Sequence, residues 1–167
     1  MRQKYTWLLV AACLIALVPV TKATCTEHRV AVKTIDSAGI DQLIKASTGT
    51  VIVAMAAWCL PCREELPILA KLYDKYKSQG LKVIGISLDL DGPSAILPIL
   101  DKANVNFPVY WAGEKTANDL NISAIPLLLL IKDGSIVETV LGRRPEAFLD
   151  VKISDLLKEE QSLRKKP

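Results

Sequence analysis

Apolar and polar positions along this chain fall into two alternating rhythms, and they meet most sharply at residues 51–69. Val51-Ile52-Val53-Ala54-Met55-Ala56-Ala57 is an unbroken apolar run, β-branched at its start, which predicts a buried strand. Two cysteines follow in Trp58-Cys59-Leu60-Pro61-Cys62. From Arg63 the spacing becomes that of an amphipathic helix, with Leu66, Leu69, Leu72 and Tyr73 on one side. That helix is expected to run to about Ser78 and end at Gly80, with a kink rather than a stop at Pro67.

The rest of the chain supplies neighbours for this strand and helix. Arg29–Ile35 alternates in part and predicts a first strand near a sheet edge. Asp36 or Ser37 can cap a helix through about Ala46 that buries Ile40, Leu43 and Ile44. Leu81–Leu88 is nearly all apolar, as expected of a strand covered on both faces. A polar loop, Asp89-Leu90-Asp91-Gly92, follows at the end of that strand where open α/β sheets keep their sites. Pro93–Ala103 then reads as a helix, Phe107–Tyr110 as a short extended piece and Glu114–Leu120 as a short helix. Leu127–Ile131 and Ile136–Leu141 flank the turn Lys132-Asp133-Gly134-Ser135 as an antiparallel hairpin. Pro145–Leu157 closes the domain as a helix, and the charged tail 158–167 is expected to fray. The order predicts an α/β fold: a central mixed sheet with helices on both faces and a C-terminal hairpin.

Length and composition set the address more than the fold. The 167 residues suit one domain preceded by a targeting segment, and half of them are hydrophobic. Residues 1–23 have the parts of a secretory signal: Arg2 and Lys4, the apolar stretch Trp7–Val20, then Thr21-Lys22-Ala23. The same segment could stay uncleaved as an N-terminal membrane anchor. Cys25 offers a third version, lipidation at a mature N-terminus, against which Lys22 stands where an apolar residue is preferred. Residues 24–28 are a linker and 29–157 the folded domain. All three versions place that domain outside the cytoplasm, in a periplasmic setting where disulfides persist. The net charge of +3 belongs to the leader: Arg2, Lys4 and Lys22 are its only charges, leaving 18 basic and 18 acidic side chains. A neutral domain without basic–aromatic interleaving excludes nucleic acid as a partner.

The chemistry lies in the CxxC. At a strand-to-helix junction both sulfurs sit near unpaired backbone N–H groups and the positive end of the helix dipole, which favours a thiolate. Zinc would need four ligands, for which Cys13, Cys25 and His28 are the only other candidates. Cys25-x-x-His28 has ligand-like spacing, but zinc half-sites sit on knuckle turns and not between a hydrophobic strand and a long helix, so no metal site is expected. One histidine also removes a Cys–His hydrolase.

These residues resemble the thioredoxin fold, and within it the extracytoplasmic TlpA/ResA-like thiol–disulfide oxidoreductases, over roughly residues 29–157. Ala57-Trp58-Cys59-Leu60-Pro61-Cys62-Arg63-Glu64-Glu65-Leu66-Pro67 is similar to that group's WCxPCRxExP run, and Ile125-Pro126 resembles the cis-proline that faces the cysteine pair. Pro67 resembles the kinked-helix proline, and Lys132-Asp133-Gly134 the hairpin turn. Two positions depart: Val53 stands where thioredoxins keep a buried aspartate, and Leu127 follows the proline where many relatives have Thr or Ser.

The resemblance implies that Cys59 attacks a substrate disulfide and Cys62 resolves the mixed disulfide, with Glu65 as proton acceptor and Pro126 completing the catalytic set. Trp58, Leu60, Pro61 and Ile125 would form the substrate-binding surface, and Trp111 is a further aromatic candidate. No cofactor is implied. Partners would be protein disulfides or dithiols and a membrane or periplasmic electron donor. The direction implied is reductive, as on apocytochrome c before haem attachment. The rivals are a disulfide-forming oxidant, a peroxide-consuming relative and, in another class, a metal-binding module. Met55-Ala56-Ala57-Trp58 lacks the Pro/Thr network that a peroxidatic cysteine wants.

Overall fold

The structure is a computed structural model that describes residues 30–164, with side chains to residue 158. The leader, Cys13, Cys25 and His28 lie outside the described residues.

Continuous apolar runs form the middle of the sheet. Strand β2 (Thr50–Met55) is buried at all six positions, and β3 (Lys82–Ser87) at all but its first. A strand buried on both faces needs no polar alternation, which is why these two read as solid hydrophobic runs. Around them come β1 (Val32–Thr34), β4 (Val109–Trp111), β5 (Leu127–Lys132) and β6 (Ser135–Leu141), in the spatial order β1-β4-β3-β2-β5-β6. The pairs β1·β4, β4·β3 and β3·β2 are parallel; β2·β5 and β5·β6 are antiparallel. The sheet is thus mixed, with the first strand at one edge and the hairpin at the other.

Helices cover both faces. On one, Val51, Val53 and Met55 of β2 pack with Leu66, Leu69 and Leu72 of α2 (Leu60–Tyr76) and with Leu149, Ile153 and Leu156 of α5 (Glu146–Arg164). Leu100 of α3 (Leu97–Lys102) joins the same cluster. On the other face, Ile52 and Ala54 meet Ile40 of α1 (Ser37–Lys45), with Ala117 of α4 (Gly113–Asp119) packed against them. Each fully buried Leu, Ile or Val contributes about 1.5–3 kcal/mol of transfer free energy.

The local signals mostly act as the sequence predicts. The Asp36 carboxylate caps α1, accepting from the Gly39 N–H at 2.8 Å. Helix α2 continues through Pro67, and Gly80 ends the following short 3-10 turn in a left-handed conformation at φ 103°. The β5–β6 hairpin turns on Asp133 (φ 47°) and Gly134 (φ 75°), the two positive φ values of a type I′ turn.

Three elements differ. Among the described residues the first strand takes in only Val32–Thr34 of the expected stretch, matched to the three residues of β4, with the Ile35 N–H adding one bond to the Trp111 carbonyl at 2.9 Å. No α-helix begins at Pro93: the Ala95 N–H donates to Gly92 and the Leu97 N–H to Ser94, both tight four-residue turns. Pro98 is the cause, since a helix begun at Pro93 would need its missing N–H to bond Ser94. With α3 starting at Leu97, Pro98 falls in the first turn, where no N–H is required. Finally, α5 continues beyond Leu157 to Arg164.

Candidate active site

The cysteine pair sits where β2 gives way to α2. The Cys59 N–H donates to Ala56 at 3.1 Å, closing the turn, and the Cys59 carbonyl accepts from the Arg63 N–H at 3.1 Å, opening the helix. Cys59 is therefore the N-cap, and its Sγ accepts from the Cys62 N–H at 3.2 Å. The two sulfurs are bonded to each other, with Cα atoms 5.3 Å apart. Cys59 is 5% exposed and Cys62 1%, so Cys59 is the more accessible of two buried sulfurs. Its neighbours stand out instead: Trp58 is 67% exposed and Leu60 60%, and Pro61 is exposed as well. Three apolar side chains, Trp58, Leu60 and Pro61, thus lie open to solvent around the cysteine pair.

Trp58 also lines a groove of about 250 Å³ with Leu88, Leu90, Glu114, Ile122 and Ile125. The Ile125–Pro126 peptide bond is cis. Register explains its place: Ala54 of β2 lies opposite Leu127 of β5, so the antiparallel pair brings residues 125–126 beside the end of β2, where the cysteine turn begins. The Pro126 carbonyl accepts from the Gly142 N–H at 2.8 Å, whereas the Ile125 main chain has no backbone partner among the described residues.

Glu65, one turn after Cys62, is not a solvated helix-surface residue. It is 1% exposed; Oε1 accepts from the Arg144 N–H at 2.8 Å, and Oε2 has no partner among the described residues. Burial pushes its carboxyl above the ordinary value of 4.5, against the pull of that N–H and of the Arg143 and Arg144 charges. Glu64 instead faces outward and pairs with Arg143 at 3.1 Å, while Arg63 is exposed.

Further residues complete the surroundings. Asp89, in the expected polar loop, is 2% exposed, and its carboxylate accepts from the Ala57 N–H at 2.9 Å. Trp111 is outside the groove and works behind it, its Nε1–H donating to the Asp89 carbonyl at 2.7 Å. The Arg144 main chain and Glu114 likewise carried no local signal. A lone acid ending a buried apolar strand, as Asp89 does, is the one signal that could have been used.

Among the described residues no group of three or more His, Cys, Asp or Glu could hold a metal ion, and no helix is long and apolar enough to cross a membrane.

Comparison with known proteins fits this geometry. Residues 26–140 match the model of the AhpC/TSA family. The thiol-disulfide oxidoreductase ResA of Bacillus thuringiensis is 30% identical over 104 residues, which are 61% of this chain and 60% of that protein. The chain thus spans 60% of that relative's length. A thioredoxin of Listeria monocytogenes is 30% identical over 120 residues, 71% of this chain and 92% of that protein. Among solved structures, a thioredoxin-family thiol:disulfide interchange protein of Chlorobium tepidum superposes with a TM-score of 0.60 at 20% identity, covering 77% of this chain and 97% of its own. That likeness shows the thioredoxin-like fold.

Proposed function

The chain belongs to the AhpC/TSA family of thioredoxin-fold proteins, and from that premise we propose that it is an extracytoplasmic thiol–disulfide oxidoreductase acting on protein substrates. The observation that carries the reading is the Cys59–Cys62 bond at the N-terminus of α2, ringed by the exposed apolar side chains Trp58 and Leu60. Relatives named as thiol-disulfide oxidoreductases support it. The signal-like pattern of residues 1–23 supports the location.

In the reductive direction the pair begins as a dithiol. The Cys59 thiolate, held by the Cys62 N–H and the helix dipole, attacks one sulfur of the substrate disulfide. The substrate S–S bond breaks, its other sulfur leaves as a thiolate that takes up a proton, and a Cys59–substrate mixed disulfide remains. Glu65 lies three residues after Cys62, on the same side of α2, and accepts the Cys62 proton. Burial raises its affinity for a proton, which suits it to accept one. The Cys62 thiolate then attacks Cys59 Sγ, releasing the second substrate sulfur and forming the Cys59–Cys62 disulfide. Two electrons have passed to the substrate, and a membrane or periplasmic dithiol donor restores the pair. Pro126 and the free Ile125 main chain offer an extended substrate a strand-like partner beside Cys59. An exported apoprotein whose paired cysteines must be reduced, such as apocytochrome c, is a substrate of the right chemistry.

Trapping tests the assignment. A Cys62→Ala variant is expected to accumulate mixed disulfides with exported proteins through Cys59, and Cys59→Ala to accumulate none. The same partners held by Cys59→Ala would reverse the roles of the two sulfurs.

A further inference from the structure

Asp89 is a buried acid with no role in the exchange just described. It leaves the end of β3, 2% exposed, and is held from three directions. Oδ1 accepts from the Ala57 N–H at 2.9 Å, and Oδ2 accepts from the Ser87 hydroxyl at 2.7 Å. Its own N–H reaches back to Ser87 Oγ at 3.4 Å, and its carbonyl takes the Trp111 indole N–H at 2.7 Å. No ion pair includes Asp89 among the described residues. A buried carboxylate spanning the ends of β3 and β4 and the turn before the nucleophile is costly to keep, since apolar residues could pack there.

We propose that Asp89 is a positioning residue for Cys59, fixing the Ala56–Trp58 turn through the Ala57 N–H and setting the pair's reducing power through its charge. The proposal rests on the redox reading above. Two residues of chain reach at most about 7 Å, so the carboxylate lies within roughly 10 Å of the Cys59 backbone. A negative charge at that distance, under an effective dielectric of about 20, disfavours the Cys59 thiolate about tenfold. Destabilising the thiolate destabilises the reduced form, so the pair gives up its electrons more readily. The hydrogen bond does separate work: Ala57 has its N–H satisfied without a strand partner, which holds the turn that aims Trp58 outward and Cys59 into the cap.

Asparagine separates the two roles, because its amide oxygen keeps an acceptor for Ala57 while the charge is lost. The test uses the full-length chain, with wild type, Asp89→Asn, Asp89→Ala and Trp111→Phe compared. The dithiol–disulfide equilibrium constant is measured against glutathione, the pH dependence of Cys59 alkylation by iodoacetamide is followed, and thermal unfolding is recorded. Asp89→Asn is expected to melt near the wild type, with its Cys59 alkylation profile moved toward acid. Its equilibrium is expected to shift about tenfold toward the dithiol, which is about 30 mV for a two-electron couple. Asp89→Ala should show the same shift and also slower attack on dithiodipyridine, which Asp89→Asn restores. Trp111→Phe should leave the equilibrium unchanged.

Unaltered equilibrium and alkylation in Asp89→Asn overturn the proposal, whatever Asp89→Ala does to stability. A wild type that exchanges with neither glutathione nor dithiodipyridine overturns the redox reading instead, so the two failures are distinguishable.

Discussion

Replacing Glu65 by glutamine sets a stability gain against a functional loss, and both follow from one buried oxygen. Glutamine keeps an acceptor for the Arg144 N–H, held at 2.8 Å by Oε1, and removes the charge from a side chain that is 1% exposed. Burial raises the folded-state pKa of Glu65 above the 4.5 of an ordinary glutamate. The folded chain therefore holds its proton to higher pH than the unfolded chain. The contribution of Glu65 to native stability is fully present below about 4.5 and is lost as pH rises through the folded value. Above that window the buried charge costs on the order of 1 kcal/mol more than a neutral amide in the same place, because burial penalises the ionised form. Glu65→Gln is expected to raise stability at pH 7 by about that amount, or about 3–5 °C in Tm for a domain of this size. The gain should vanish below pH 4.5. Without the base, resolution by Cys62 should slow by about 10²-fold. Differential scanning calorimetry at pH 4 and 7 reads the first effect. Stopped-flow release of the second thiopyridone from dithiodipyridine reads the second. A variant that is less stable than wild type at pH 7 and resolves at the wild-type rate would refute both halves.

Three further substitutions test the frame around the site. Trp58→Ala removes an exposed groove wall, so protein-substrate KM should rise several-fold with Tm unchanged; steady-state kinetics with a protein disulfide checks this. Gly134→Ala forces a side chain into positive φ, with its Cβ 2.8 Å from the Lys45 carbonyl oxygen, and should cost about 2 kcal/mol in urea unfolding. Phe107→Ala empties a site that is 1% exposed and leaves Tyr73, whose ring meets it edge-on at 6.1 Å, without its partner. Chemical denaturation should show a loss of about 3–5 kcal/mol.

What was legible in the sequence is what short-range physics controls. Strands β2 and β3 announce themselves by continuous burial, α1 by the Asp36 cap, and the hairpin by Asp133-Gly134. The cysteine pair and Trp58 were visible as local patterns, and the cis Ile125–Pro126 bond through the family resemblance. Pro93 misled because it satisfies a helix start by itself, and only the second proline, Pro98, moves that start to Leu97. The environment of Glu65 was not legible, since it depends on a backbone donor 79 residues away in the turn before α5. Asp89 was hidden likewise: its bond to Ala57 spans 32 residues and exists only once β2 and β3 lie side by side.

The central claim is that two sulfurs at the head of α2 join and part reversibly while the fold stays intact. Equilibrating the full-length chain with graded dithiothreitol and counting alkylated cysteines tests it most directly. The account predicts one two-electron transition in which Cys59 and Cys62 become modified together, with unchanged circular dichroism and a potential well below the −120 mV or so of a strong disulfide-forming oxidant. A pair that opens only when the domain unfolds would contradict it.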